Sequence, residues 1–272
     1  IDHYNFNRKE YVICELRTND QMKELTQLWD EYYDKSQKNT ILKDDNFFKL
    51  EINSIIENII TEINPIKNSS VKILEFGSGT GFLAAKIMLS LKKKKIKCQY
   101  TGIDFSQIAI QKANKRNIKN CKFIKSDFVD FIKFNNEKFD FIVTQRSIMA
   151  IMEKNSQLLF LKLIKKSLTK KGIGLFCECT IQALNEIQKL RKKLGISPLE
   201  KVWHSKYVDA NIISSLFTKT RVVDFASTYW FLTRVIYPYF KDPKHNTEFH
   251  KFASMLPQEG NYGLVKLFVV QK

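Results

Sequence analysis

Long apolar runs are missing from this sequence, and no signal peptide is visible at its start. These two absences predict a soluble, cytoplasmic protein without a membrane span. The chain has 272 residues, of which 44% are hydrophobic, so it is long enough to bury a full core as one domain with an elaboration. It opens at Ile1 rather than at Met, which leaves open that it is part of a longer protein.

Cysteine is scarce, and its spacing matches no common metal site. Cys177 and Cys179 fall in a predicted buried strand, where alternation points both side chains to one face. We therefore expect core thiols in a reducing cytosol rather than a zinc or redox site.

Arginine is also scarce, although the net charge is +17. So much positive charge favours a polyanionic partner such as nucleic acid. Nucleic-acid surfaces usually draw on arginine for forked contacts, however, and here the lysines are spread along the chain. We interpret the charge mainly as a lysine-rich composition, with nucleic acid kept as an alternative partner.

The chain has only nine glycines, and three of them fall in one short stretch, Val71 to Leu83. This stretch is typical of an apolar strand, a glycine-rich turn and the start of a helix. Glycine permits backbone conformations closed to other residues, and it lets a ligand approach the main chain. The free N–H groups of the helix start can bind a carboxylate or a phosphate.

The spacing of these glycines separates two kinds of nucleotide site. Glu75 precedes Gly77, Gly79 and Gly81, with one residue between the last two glycines where the dinucleotide fingerprint has two. In this form the stretch resembles motif I of the class I S-adenosylmethionine (SAM)-dependent methyltransferases. The resemblance implies SAM as cofactor, held at its methionyl end by this turn.

Two further motifs follow at matching places. Asp104 ends the predicted second strand, where a carboxylate can accept both ribose hydroxyls, and the alternative is a helix N-cap. The resemblance implies that Phe105 packs beside the adenine. After the third strand, Asp127 would accept from the adenine amino group and Phe128 would pack on the ring.

Strands and helices alternate regularly up to Cys179, which predicts a parallel sheet with right-handed crossovers. The resemblance implies an α/β, Rossmann-like fold with seven strands, mostly parallel, an antiparallel last strand and helices on both faces. We expect strand six at Arg221 to Ser227 and strand seven at Leu264 to Val270.

We divide the chain into an N-terminal helical cap, residues 1–64, and a SAM-binding core, residues 65–272. A strand is predicted from Tyr11 to Leu16 and helices at about 20–36 and 45–64. The first helix, with Leu25, Leu28, Trp29 and Tyr32 on one side and an aromatic-rich segment from Trp29 to Tyr33, either folds over the cofactor as a lid or simply packs on the core. Insertions at about 181–220 and 229–263 would form the acceptor pocket.

The turn after strand four, Thr144 to Ser147, excludes several subclasses by comparison with the family. It lacks the Pro-Pro-aromatic motif of enzymes that methylate nucleic-acid bases at nitrogen, and the Lys-Asp-Lys-Glu tetrad of ribose methyltransferases is absent. Metal-dependent catechol-type enzymes place an aspartate where this chain has Gln145. We therefore predict no metal and assign Gln145 to the cofactor site.

Arg146, Glu178 and His204 are the catalytic candidates. Arg146 would grip an acidic acceptor group, because its fork matches phosphate or carboxylate, unless it forms a surface salt bridge. His204 is our first candidate for a general base, with a packed structural histidine as the alternative. Glu178 would orient the acceptor or remove a proton, unless it serves as a cap or ion pair.

A weaker resemblance, through Trp203-His204 and Arg234 among others, is to methyltransferases found among surface-polysaccharide biosynthesis enzymes. It implies methyl transfer to a hydroxyl, with an amine as the second choice, of a sugar nucleotide, glycan or phosphorylated metabolite. Tyr207, Tyr229 and Tyr237 could line a sugar site. An RNA methyltransferase and a non-catalytic SAM-fold module of a larger protein are the alternatives. The sequence predicts no oligomeric state.

Overall fold

The computed structural model describes residues 19–35, 44–63, 70–200, 205–241 and 244–272. Its seven strands form one sheet in the order β3-β2-β1-β4-β5-β7-β6. They span β1 Val71–Phe76, β2 Cys98–Asp104, β3 Cys121–Lys125, β4 Phe139–Gln145, β5 Leu168–Cys179, β6 Lys219–Val223 and β7 Val265–Gln271. The first five strands pair in parallel, and β7 runs antiparallel to both of its neighbours. The predicted fold class is thereby confirmed.

Helices cover both faces of the sheet. They are α1 Asn19–Lys35, α2 Asp45–Glu62, α3 Phe82–Lys93, α4 Gln107–Lys115, α5 Phe128–Phe134, α6 Lys154–Ser167, α7 Ile181–Lys193, α8 Ala210–Leu216, α9 Ser227–Phe231, a π-helix at Leu232–Ile236, α10 Tyr237–Phe240 and α11 Glu248–Met255. Among the described residues, no helix combines the length and apolar character needed to cross a membrane.

The core lies on both faces of the central strands, since nearly every residue of β1 and β4 is buried. Ile73 and Leu74 are adjacent in sequence, point to opposite faces, and are both fully buried. Each such side chain contributes roughly 1.5–3 kcal/mol by leaving water. Cys177 and Cys179 are buried in β5 and free, as the sequence predicts for core thiols.

Two strand boundaries differ by more than two residues from those predicted. Strand β5 begins at Leu168, five residues before the predicted start at Ile173. Its pairing with β4 continues back from Phe141–Ile173 to Phe139–Leu168 across an irregularity in register. Strand β6 ends at Val223, because Asp224 turns away to accept from the Gly263 N–H at 3.0 Å and from the Lys266 ammonium. Helix α9 begins at Ser227, so residues 224–227 are not strand. The strand predicted from Tyr11 to Leu16 lies outside the described residues.

Candidate active site

The glycine turn adopts the backbone that its sequence requires. Gly77, Gly79 and Gly81 have φ values of +70°, +49° and +71°, in the left-handed region that favours glycine. A Cβ atom on Gly81 would lie 2.9 Å from Phe123 Cζ, so this glycine lets the start of α3 approach β3. The turn therefore exposes its main chain at the carboxyl edge of the sheet, where ligands bind in open α/β folds.

Asp104 links the end of β2 to this turn. Its Oδ2 accepts from the Gly79 N–H and its Oδ1 from the Ser106 N–H, both at 2.9 Å. Burial raises the pKa of Asp104 to about 6, although these amide hydrogen bonds lower it. Ser106, not Asp104, caps α4 through its side chain. Asp104 lines the cavity, and its carboxylate has more acceptor sites than these amides occupy.

Glu75 lies beneath the turn rather than in the cavity. It is fully buried and accepts from the Tyr100 hydroxyl at 2.8 Å. Burial raises the pKa of Glu75 to about 8, so the carboxyl group is largely protonated at neutral pH. Its place is that of a support for the glycine turn.

At the end of β3, Asp127 caps helix α5 by accepting from the Val129 N–H at 2.7 Å. Phe128 packs edge-on against Phe160, with ring centroids 4.3 Å apart. Asp127, Phe128 and Phe105 all line the cavity, so the structure brings together the residues that the second and third motifs predict.

The turn after β4 is held by a carboxylate that the sequence analysis missed. Glu51, on α2, is 0% exposed and accepts from Gln145 Nε2 at 2.8 Å. Its Oε2 also lies 3.2 Å from Arg146 Nη2. The signal available in the sequence is a glutamate between Phe48 and Ile52, inside an apolar stripe where a charge needs a partner.

Glu178 fixes the same turn from below. Its carboxylate accepts the N–H groups of Ser147 and Ile148 at 3.1 Å and that of Met149 at 3.2 Å. Burial raises the pKa of Glu178 to about 7, and these hydrogen bonds lower it. Glu178 does not line the cavity, so its contacts match the alternative of a cap rather than contact with an acceptor.

A single cavity of about 600 Å³ joins these elements to the insertions. Its size falls within the range of sites for small molecules and cofactors. The cofactor side is lined by Trp29, Tyr33, Phe76, Gly77, Ile103, Asp104, Phe105, Ser126, Asp127, Phe128, Gln145, Arg146 and Ser147. A second group of lining residues comes from the start of α2, the end of β5, the start of β7 and the insertions, and we call it the opposite side or opposite wall. It comprises Asp44, Phe47, Cys179, Leu199, Glu200, Ser205, Tyr207, Trp230, Arg234, His245, Leu264 and Val265.

Asp44 organises this opposite side. It accepts from the Tyr229 hydroxyl at 2.6 Å and from the Phe47 N–H at 3.1 Å. Its Oδ2 lies 2.5 Å from Arg234 Nη2 and 3.9 Å from His245 Nδ1. Burial raises the pKa of Asp44, but the Tyr229 hydrogen bond and the Arg234 charge outweigh it and hold the pKa below its usual value.

Arg234 sits in the π-helix, a distortion that often marks functional sites. Its guanidinium lies over the Trp230 ring, 5.3 Å from the centroid, and its Nη1 is 3.4 Å from His250 Nε2. Asp44, His245 and His250 are spaced closely enough to hold a metal ion. The Arg234 cation already contacts Asp44 and His250, which disfavours a metal cation at the same place. That the reaction needs no metal stays a prediction.

The remaining candidates from the sequence are His204 and three tyrosines, and only some of them can be placed at the cavity. His204 lies outside the described residues, and so does its neighbour Trp203. Of the three tyrosines, Tyr207 lines the cavity. Tyr229 is buried against Asp44, and Tyr237 stacks on Phe249 with ring centroids 5.2 Å apart.

The residues present fit SAM. The glycine turn offers main-chain donors without Cβ atoms, and Asp104 offers acceptors for hydroxyl groups. Arg146 lines the cavity, and its Nε is buried and has no hydrogen-bond partner in the described part of the protein. Buried polar atoms rarely stay unpaired, so this donor favours a polar ligand beside the turn after β4.

Comparison with known proteins agrees with this geometry. A family model described as "Methyltransferase domain" matches residues 67–227, more than half of the chain. An uncharacterized RNA methyltransferase of Mycoplasma mobile is 26% identical over 140 residues, which are 50% of this chain but only 36% of that protein.

Two solved structures share the fold at low identity. The N-methyltransferase NodS of Bradyrhizobium japonicum WM9, solved with S-adenosyl-L-homocysteine (SAH), aligns with a TM-score of 0.55 and 14% identity over 91% of this chain and 98% of its own. Magnesium protoporphyrin IX methyltransferase of Synechocystis PCC 6803, also with SAH, aligns with a TM-score of 0.53 and 10% identity over 90% and 92%. From the family match and the three cofactor motifs, the chain belongs to the class I SAM-dependent methyltransferases.

Proposed function

We propose that this enzyme transfers the methyl group of SAM to a hydroxyl group, or in second place an amine, of a small acceptor. The observation that carries this proposal is the cavity itself, which continues from the cofactor motifs to a wall built by the insertions. Trp230, Arg234 and His245 lie on that wall. A site of about 600 Å³ has the size of a site for a cofactor with a compact acceptor.

The chemistry of this wall supports a sugar nucleotide, glycan or phosphorylated metabolite as acceptor. Tyr207 offers a ring face that can pack on a sugar, and Arg234 has further N–H donors, beyond its contacts with Asp44 and His250, for an acidic group. We extend the proposal to a role in surface-polysaccharide biosynthesis in the cytoplasm, which rests on the weaker resemblance alone.

For a hydroxyl acceptor the reaction needs a base. Asp44 is a poor base because its pKa lies below its usual value. Tyr207 is not suited either, because burial raises its pKa to about 12 and keeps the hydroxyl protonated at neutral pH. His245 lines the same wall, and an imidazole ordinarily titrates near neutral pH. We therefore name His245 beside His204 as a candidate base. The Asp44 carboxylate, 3.9 Å from His245 Nδ1, would stabilise the imidazolium.

The proposed step is an in-line displacement. SAM supplies an activated methyl group on a sulfonium centre. As the base takes the hydroxyl proton, the acceptor oxygen bonds to the methyl carbon and the carbon–sulfur bond breaks. The products are a methyl ether, neutral SAH and the protonated base. The protein contributes alignment and proton removal.

RNA methylation is the second candidate, favoured by the Mycoplasma mobile relative and the net charge of +17. Two features weigh against it. No lysine is among the described residues that line the cavity. The densest lysine run, residues 92–97, ends α3 and precedes β2, at the sheet edge opposite the cavity.

Helix α1 is proposed as a lid over the cofactor. Trp29 and Tyr33 line the cavity from this helix. The Asp30 carboxylate accepts from the Ser106 hydroxyl and from the Ile108 N–H, and the Lys112 ammonium donates to the Tyr33 carbonyl. These contacts support a position of α1 beside the cofactor site. The division into a cap, residues 1–64, and a core, residues 65–272, stays a prediction.

A transfer screen with radiolabelled SAM tests the proposed function. Sugar nucleotides and phosphorylated metabolites form the main panel, RNA is the competing acceptor, and the D104A variant is the control for cofactor-dependent signal. Transfer to a small acceptor, lost in D104A, supports the proposal. Salt-sensitive transfer to RNA alone would replace it with the second candidate.

A further inference from the structure

The direction in which SAM lies follows from the order of the strands. SAM has an adenosine at one end and an α-amino carboxylate at the other. Asp127 and Asp104 follow β3 and β2, and the resemblance assigns both to the adenosine. The next strands in the sheet are β1 and β4. The carboxylate end must therefore reach the turns that follow these two strands, at Gly77 and Arg146.

Arg146 has donors to spare at this place. Arg146 pairs with Glu51, whose Oε2 lies 3.2 Å from Nη2, and its Nε is buried without a hydrogen-bond partner in the described structure. A guanidinium has five N–H donors, so one contact leaves most of its capacity unused. Arg146 also lines the cavity.

Position relative to the glycine turn gives a second argument. The Tyr33 hydroxyl lies 2.9 Å from the place of a Cβ atom on Gly79. Burial and the charge of Asp104 raise the pKa of Tyr33, and the charge of Arg146 lowers it. Arg146 is thus within electrostatic reach of a group that touches the cofactor turn.

Competing cations are few. Arg146 and Arg234 are the two arginines among the described lining residues, and no lysine is among them. Arg234 belongs to the opposite wall, beside Asp44. Of these two lining arginines, Arg146 alone follows one of the strands that face the carboxylate end.

The Arg146 turn is also built to stay in place. Its backbone has φ +57°, a strained value for a residue with a side chain, and its N–H donates to the Cys177 carbonyl at 2.8 Å. The next residue, Ser147, donates from its hydroxyl to the Phe76 carbonyl at 2.6 Å. Strain held by such contacts is characteristic of preorganised binding sites.

We propose that Arg146 binds the carboxylate of the methionyl group of SAM, with Glu51 as the residue that positions its guanidinium. This assignment replaces the expectation that Arg146 grips the acceptor. It means that the enzyme selects its methyl donor by the carboxylate as well as by the adenosine.

Calorimetry with two ligands and matched variants tests this. SAM and decarboxylated SAM, which lacks only the carboxylate, are each titrated into wild type, R146Q, R146K and R221Q. Arg221 is the control because it contacts Asn58 and Glu62 on α2, the helix that carries Glu51, but does not line the cavity.

We expect wild type and R221Q to bind SAM about 10- to 100-fold more tightly than decarboxylated SAM, the usual strength of a charge-assisted hydrogen bond. R146Q should lose this preference to within about threefold and keep its affinity for decarboxylated SAM, and R146K should be intermediate. Equal binding of the two ligands by wild type would overturn the proposal without any variant. An R146Q variant that still prefers SAM over decarboxylated SAM as strongly as wild type does would also overturn it. If the methyl-transfer activity of that variant also fell, the result would assign Arg146 to binding of the acceptor.

Discussion

The Oδ2 atom of Asp104 accepts a hydrogen bond from the Gly79 N–H at 2.9 Å, so one carboxylate ties the end of β2 to the glycine turn after β1. This contact holds the two halves of the cofactor site in register. It also places a carboxylate with free lone pairs inside the cavity.

Replacing Asp104 by Ala should weaken SAM binding by about 1–3 kcal/mol, because the ribose hydroxyls lose their acceptor. The comparison variant is D130N, since Asp130 is an exposed carboxylate on α5 that does not line the cavity. Calorimetry measures both. If D104A binds SAM as wild type does, Asp104 is not the ribose ligand.

Gly81 and Gly195 form a matched pair for the cost of a side chain in the glycine turn. Their φ values are similar, +71° and +66°, but a Cβ atom on Gly195 meets nothing within 4 Å, whereas one on Gly81 meets Phe123. We expect G195A to cost about 1 kcal/mol of unfolding free energy from backbone strain. G81A should cost about 1–3 kcal/mol more, from crowding.

Urea unfolding followed by circular dichroism measures the difference between the two glycine variants. If G81A and G195A lost the same unfolding free energy, α3 and β3 would tolerate a methyl group between them. That result would remove close packing as the reason for glycine at position 81.

Glu75 should make stability depend on pH. Its folded pKa, about 8, lies above the value of about 4.3 expected for an unfolded glutamate. The folded state therefore holds a proton that the unfolded state has released between these two values. Stability contributed by this group is fully present below pH 4 and is lost as the pH rises towards 8, with a slope of at most about 1.4 kcal/mol per pH unit.

The E75Q variant should flatten this part of the stability profile, because glutamine stays neutral and can still accept from Tyr100. E57Q serves as the control, since Glu57 is exposed on α2. Melting temperatures between pH 5 and 8 measure the effect. A profile in E75Q as steep as in wild type would mean that Glu75 is already ionised when folded.

His245 can be separated from His250 by kinetics. We expect H245Q to lower kcat by about 10²- to 10⁴-fold, the usual contribution of a general base, and to leave SAM affinity unchanged. H250Q changes a buried histidine that does not line the cavity, so its loss should appear mainly as reduced stability. Full activity in H245Q, with a loss in H204Q, would return the base to His204.

The cofactor side could be predicted from the sequence because its signals are local. The glycine turn, Asp104 and Asp127 each come at or directly after the end of a strand that the sequence predicts. A parallel sheet then brings those strand ends together without further information.

The opposite wall could not be predicted in this way. Asp44 meets Tyr229 and Arg234 across more than 180 positions of chain, and no local pattern records such a pairing. The π-helix that carries Arg234 has no distinct periodicity over five residues. Glu178 was legible as a carboxylate at a strand end, but only the structure shows three backbone N–H groups occupying it.

Titration of the wild-type protein with SAM by calorimetry tests the central claim most directly, because every role argued above requires the cofactor to bind at the glycine turn. The account predicts saturable, one-site binding of SAM with a Kd below about 1 mM, the upper end of usual enzyme affinities, and competition by SAH. An absence of binding at millimolar SAM would contradict it.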